Sequence, residues 1–126
     1  YWGEDLAWDD SKLKSTDPYI ADIDTTLLQL FTDYIEELQN DSIVPILVAA
    51  PVYKGAIDVV LNIGDINNMY RQIATRYDIP FLDYSEIPLT KDTAYFYNAT
   101  HMNKQGAELF SIQLAHDLDS LGIISH

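Results

Sequence analysis

With 126 residues the chain is long enough for one hydrophobic core and too short for two, so it reads as a single domain over residues 1–126 or as the C-terminal fragment of a larger one. Apolar residues make up 48%, a globular share, but the formal net charge is −13, which a nucleic-acid duplex would repel, so nucleic-acid binding through a basic patch is excluded. There is no cysteine, which removes disulfides and thiolate metal sites, and no apolar run reaches the length of a membrane span.

Residues 1–22 show neither a strand nor a helix period. Trp2, Trp8 and Tyr19 alternate there with Gly3, Glu4, Asp5, Asp9 and Asp10. The plain expectation is an irregular surface segment pinned by its aromatics; the functional one is a substrate-facing loop with Trp2 or Trp8 as a stacking wall. The first residue is Tyr1 rather than Met and no targeting pattern is present, so the chain reads as a piece of a longer protein whose address is not legible here.

Residues 22–39 carry Ile23, Leu27, Phe31, Tyr34, Ile35 and Leu38 at helical spacing, with Asp24, Thr25 or Thr26 as the cap. Asn40 and Asp41 end this helix with turn chemistry. Residues 43–50 form a continuous apolar run, expected to be a strand buried on both faces, with Pro45 near its start. A helix followed by a buried strand is the unit of an α/β fold, whose ligands bind beyond the carboxyl ends of the strands; Tyr53 is thereby a candidate substrate-binding residue.

Residues 54–64 are ambiguous, and Asp65 is expected to cap a helix over residues 66–77, where Ile66, Met69, Tyr70, Ile73, Ala74 and Tyr77 make an amphipathic stripe. Residues 79–84 follow as a short strand with Asp83 at its carboxyl end, and a polar connection containing Pro88 leads on. After it, Asn103 is a good N-cap for a last helix, whose stripe is Ala107, Phe110, Leu114, Leu118 and Leu121. His101 then stands in a loop aimed by a helix whose back is anchored in a core, a common mount for a catalytic histidine. The plainer role is a histidine bonded to a loop carbonyl.

The run Asn98-Ala99-Thr100-His101-Met102-Asn103-Lys104-Gln105-Gly106 resembles the last sequence block of the SGNH (GDSL-like) hydrolases, in which Asp-x-x-His is followed by a hydrophobic residue, Asn, two variable residues and Gly. His101, Asn103 and Gly106 match at their spacings, whereas Asn98 stands where that family has Asp. The order of elements over residues 43–121 fits the same layout. The resemblance implies an α/β fold with helices packed on a mainly parallel sheet, like the C-terminal half of the flavodoxin-like three-layer sandwich of that family. It implies hydrolysis or transfer of an ester-linked acyl group, carbohydrate O-acyl esters included, with His101 as base and Asn98 as its altered orienting partner. Asp83 or a backbone carbonyl is the alternative acceptor.

No serine follows a strand in a Gly-Asp-Ser context. Asp65 is followed by Ile66, which has no nucleophilic atom, and Ser85 is the one serine worth testing. The isolated chain is therefore expected to be inactive, with the nucleophile block upstream of Tyr1. The alternative is a non-catalytic envelope or carbohydrate-binding module descended from that fold, its ligand contacted by Trp2 and Trp8. No cofactor or metal is implied, because His101, His116 and His126 lack metal spacing and no phosphate-cradling glycine loop exists. The partner would be a small-molecule or carbohydrate ester; the compartment stays open, an envelope or secreted parent among the alternatives. A sheet this small leaves apolar surface uncovered, so the chain should either self-associate or form extra strands within residues 1–22 and 54–64.

Overall fold

The computed structural model describes residues 8–122. In chain order its elements are α1 (Ser11–Lys14), α2 (Thr25–Asn40), β1 (Leu47–Ala49), α3 (Lys54–Asp58), α4 (Ile63–Arg76), β2 (Phe81–Asp83), two 3-10 turns (Pro88–Lys91 and Thr93–Tyr95), β3 (Phe96–Asn98), β4 (His101–Met102) and α5 (Lys104–Ser120). It is a mixed helix-and-strand fold with a small parallel sheet. The described residues divide into two units, one of residues 17–50 and 57–84, the other of residues 8–16, 51–56 and 85–122.

The first of these units is built from α2, β1, α4 and β2. Asp24 caps α2, its carboxylate accepting from the N–H groups of Thr26 at 2.9 Å and Leu27 at 3.1 Å. Both long helices end in the same way. Ser42 (φ 60°) and Asp78 (φ 52°) take the left-handed conformation one residue past the helix cap. The next N–H then reaches back to the last turn: Ile43 N donates to Leu38 O at 2.9 Å, and Ile79 N to Ala74 O at 2.9 Å. This closing motif satisfies carbonyls the helix would leave orphaned and turns the chain toward a strand.

β1 and β2 pair in parallel, Leu47 with Phe81, Val48 with Leu82 and Ala49 with Asp83. Beneath them Ile35, Ile73, Ala74 and Ile79 form the buried core, with Leu28, Phe31, Leu47, Met69, Tyr77 and Phe81 packed around it. The α4 stripe is the one its periodicity predicts; Tyr70 lies at its edge, its ring set edge-on to Phe31 with centroids 6.0 Å apart.

Several expectations need correction. Residues 43–50 do not form a strand buried on both faces: only Leu47–Ala49 is strand, and Ile43, Val44 and Val48 are exposed. β1 pairs with three residues of β2, and Pro45, which has no N–H to give to a ladder, lies two residues before it. The α2 stripe is rotated from the expected one. Leu28, Phe31, Thr32, Ile35 and Leu38 face inward, while Ile23, Leu27, Leu30 and Tyr34 are exposed. Thr32 is tolerated inside because its hydroxyl donates to Gln29 O at 3.0 Å.

α4 starts earlier than expected, so Asp65 lies in its first turn and Asn62 takes the cap position. The Asn62 amide does not cap the helix; it clamps Ala21, accepting from its N–H and donating to its carbonyl, both at 2.9 Å. Among the described residues, 8–22 and 54–64 contribute one isolated parallel bridge, Tyr19 with Val60, and no strand. Residues 8–22 are not wholly irregular, since they contain α1.

Candidate functional site

The other unit holds the hairpin that carries His101. β3 and β4 are antiparallel, Phe96 opposite Met102 and Asn98 opposite His101, with a register irregularity at Tyr97. Ala99 and Thr100 form the connecting turn. His101 therefore sits on a short strand rather than in a loop, directly across the hairpin from Asn98. Phe96, fully buried, anchors the hairpin from below.

Asn103 and Gly106 explain themselves in this setting. The Asn103 side-chain oxygen accepts from Gly106 N at 2.9 Å and caps α5, as its sequence position predicts. Its amide nitrogen donates to Ala94 O at 2.7 Å, and its backbone N–H donates to Tyr95 O at 2.9 Å. One asparagine thus ties the helix start to the Thr93–Tyr95 turn. Gly106 is buried against the same turn, where a side chain would run into the Tyr95 carbonyl. Ala107, Phe110, Leu114 and Leu118 are half-buried along α5, while Leu121 is exposed at its end.

The ring of His101 is exposed, and three groups hold it. Its Nδ1 lies 2.9 Å from Asn98 Oδ1 and 3.0 Å from Thr100 Oγ1, and the Tyr97 ring stacks on it with centroids 5.4 Å apart and planes 19° from parallel. The direction of the Asn98 contact follows from the backbone. Thr100 N–H donates to Asn98 Oδ1 at 3.1 Å, and a backbone N–H can only donate. The amide must therefore turn its oxygen inward, and Nδ1 must carry the proton that meets it. Nε2 is left with its lone pair, on a residue that is exposed as a whole. That is the tautomer a general base requires, although an amide brings no negative charge to stabilise the imidazolium.

Thr100 was not a sequence candidate. The Asn-Ala-Thr turn, where an Asn side chain bonds the backbone two residues on, is the signal that could have found it. Asp83, the alternative orienting acceptor, accepts instead from Arg71 Nη2 at 2.8 Å. No serine hydroxyl bonds the His101 ring among the described residues, Ser85 included.

Trp2 lies outside the described residues. Trp8 and Tyr53 are brought together, their rings edge-on with centroids 4.9 Å apart, and Tyr53 in turn meets Phe96 at 5.9 Å. Backbone bonds fix both segments to the hairpin: Asp9 N donates to Tyr97 O at 2.7 Å and Tyr53 N to Ala99 O at 3.0 Å. Trp8 and Tyr53 are half-buried, so they pin these segments while keeping part of each ring at the surface. The Asp9 carboxyl is held below its usual range by the N–H and hydroxyl of Ser11.

No family model, curated protein or solved structure matches the chain. Among the described residues no group of three or more His, Asp or Glu is arranged to hold a metal ion, and no helix is long and apolar enough to cross a membrane. What remains is an oriented imidazole on an exposed residue of a two-stranded hairpin, stacked on the Tyr97 ring.

Proposed function

We propose that the chain is the histidine-bearing part of an ester hydrolase or acyltransferase of the SGNH (GDSL-like) kind, within an α/β sandwich of that family, acting on small-molecule or carbohydrate O-acyl esters. The observation that carries this reading is the 2.9 Å contact from Asn98 Oδ1 to His101 Nδ1, oriented by the Thr100 N–H, which leaves the lone pair on Nε2 of an exposed residue. In this reading His101 takes the proton of a serine hydroxyl as that oxygen attacks the ester carbonyl. It then returns the proton to the departing alcohol. Asn98 fixes the tautomer, and the aromatic rings of Trp8 and Tyr53 offer apolar surface to a sugar or acyl group.

A second reading is favoured by the missing charge at Asn98: a non-catalytic module of envelope or carbohydrate-binding type that keeps the hairpin as a scaffold. The full encoded protein separates the two. The catalytic reading expects a Gly-Asp-Ser after a strand, serine labelling by a fluorophosphonate, and turnover of p-nitrophenyl acetate or an acetylated glycan. His101→Ala should lower that turnover by about 10²–10⁴-fold, the usual share of a general base. Asn98→Asp should raise it. Absence of the serine block and of labelling would leave the module. The isolated chain should not exceed free imidazole on p-nitrophenyl acetate; turnover that survives Ser85→Ala but not His101→Ala would show that it holds a nucleophile of its own.

A further inference from the structure

We infer that Tyr97 is a positioning residue for His101, its ring face supplying part of the stabilisation of the imidazolium that the uncharged Asn98 amide does not. The stack is nearly parallel, with planes 19° apart and centroids 5.4 Å apart, inside the distance over which a cation is attracted to an aromatic face. Tyr97 is itself held. Its carbonyl accepts from Asp9 N at 2.7 Å, and it lies between Phe96, which is fully buried, and Asn98, which is bonded to the His101 ring. The two rings thus form an offset stack across the hairpin, at the irregularity in its register.

Among the described residues the bonds to the His101 ring come from Asn98 and Thr100. The ionisable residues in the first two turns of α5, which packs on β4, are Lys104 and Glu108, and neither pairs with the ring; the Asp9 carboxylate is turned to Ser11. On β3 the one ionisable side chain is Tyr97 itself, and in the preceding turns Lys91, Asp92 and Tyr95 make no bond to the ring. Asn98 and Thr100 contact Nδ1, and the Tyr97 ring stacks, offset, on the imidazole. A ring so held keeps Nε2 pointed in one direction.

The inference goes beyond the catalytic proposal and is tested without substrate, so its failure and that of the proposal are distinguishable. The test is the NMR titration of the His101 ring in the chain itself, compared among wild type, Tyr97→Phe, Tyr97→Trp and Tyr97→Leu, each checked for folding by circular dichroism. Tyr97→Phe keeps the face and should leave the midpoint where it is. Tyr97→Trp, the strongest aromatic face, should raise it. Tyr97→Leu keeps apolar bulk without the face and should lower it by about 0.4–0.7 of a pH unit, the size of an exposed cation–π contact. A wild-type midpoint in Tyr97→Leu, or equal falls in the Phe and Leu variants, would overturn the inference and leave Tyr97 as packing. If the Leu variant does not fold, the Phe and Trp variants still decide: a Trp midpoint below that of Phe overturns it.

Discussion

Gly106→Ala is the sharpest perturbation of the site's scaffold, because the same substitution at Gly64 should have the opposite sign. A Cβ built on Gly106 falls 3.1 Å from Tyr95 Cβ and 3.2 Å from Tyr95 C, and still closer to the Tyr95 carbonyl oxygen. The obstacle is backbone, fixed by Asn103 N at 2.9 Å and by the Asn103 amide on Ala94 O at 2.7 Å, so no side chain can swing aside. The helix start must lift. Overpacking of this kind costs about 1–3 kcal/mol, and each clamp bond stretched adds about 1 kcal/mol. Alanine's better helix propensity returns about 1 kcal/mol, so the net loss should be about 1–3 kcal/mol. Gly64 lies near the start of α4 with nothing within 4 Å of an added Cβ, so Gly64→Ala should gain about 0.5–1 kcal/mol. Thermal unfolding followed by circular dichroism should show Gly106→Ala melting lower by about 3–6 °C per kcal/mol, and Gly64→Ala melting higher. Equal midpoints for Gly106→Ala and wild type would refute the close approach, and with it the account of why this motif needs glycine.

Asp78→Gly should stabilise the chain by about 1 kcal/mol, read from its melting temperature, because Asp78 holds φ 52° where glycine carries no steric cost. The Tyr77 phenol donates to Glu36 Oε1 at 2.8 Å, and this bond raises its pKa. The stabilisation is fully present below the unfolded tyrosine pKa and lost as pH rises through the folded one; Glu36→Gln should bring the Tyr77 ring titration down toward the ordinary value in NMR. Exposed Ile43, Val44 and Val48 beside a two-stranded sheet should support self-association, seen in sedimentation as a coefficient that rises with concentration. Added salt should strengthen it by screening the −13 charge, and a monomer under all these conditions would remove the expectation.

What was legible in the sequence was local. The Asn103 cap, the α4 stripe and the place of Asp83 at the end of β2 each depend on a few neighbouring residues and agree with the structure, which also selects Asp24 among the three candidate caps of α2. The phase of α2 was not legible, because Leu27, Leu28, Leu30, Phe31, Tyr34 and Ile35 spread apolar residues over more than one face. Tertiary packing chose Leu28, Phe31 and Ile35. The length of β1 depends on its partner and not on the apolar run that contains it. At the site, the contact of Asn98 with His101 was an expectation from the resemblance of residues 98–106 to the SGNH block, and the short turn between them allows it. Whether the amide turns its oxygen or its nitrogen to the ring depends on the Thr100 N–H, a backbone contact that no residue pattern displays.

The central claim is that His101 carries its proton on Nδ1 and keeps Nε2 free. The nitrogen-15 spectrum of the ring above its titration midpoint reports this directly, since protonated and unprotonated ring nitrogens resonate far apart. The account predicts a protonated Nδ1 and an unprotonated Nε2 in wild type, and loss of that bias in Asn98→Ala. A neutral ring protonated on Nε2, with Thr100 donating to a bare Nδ1, would contradict it.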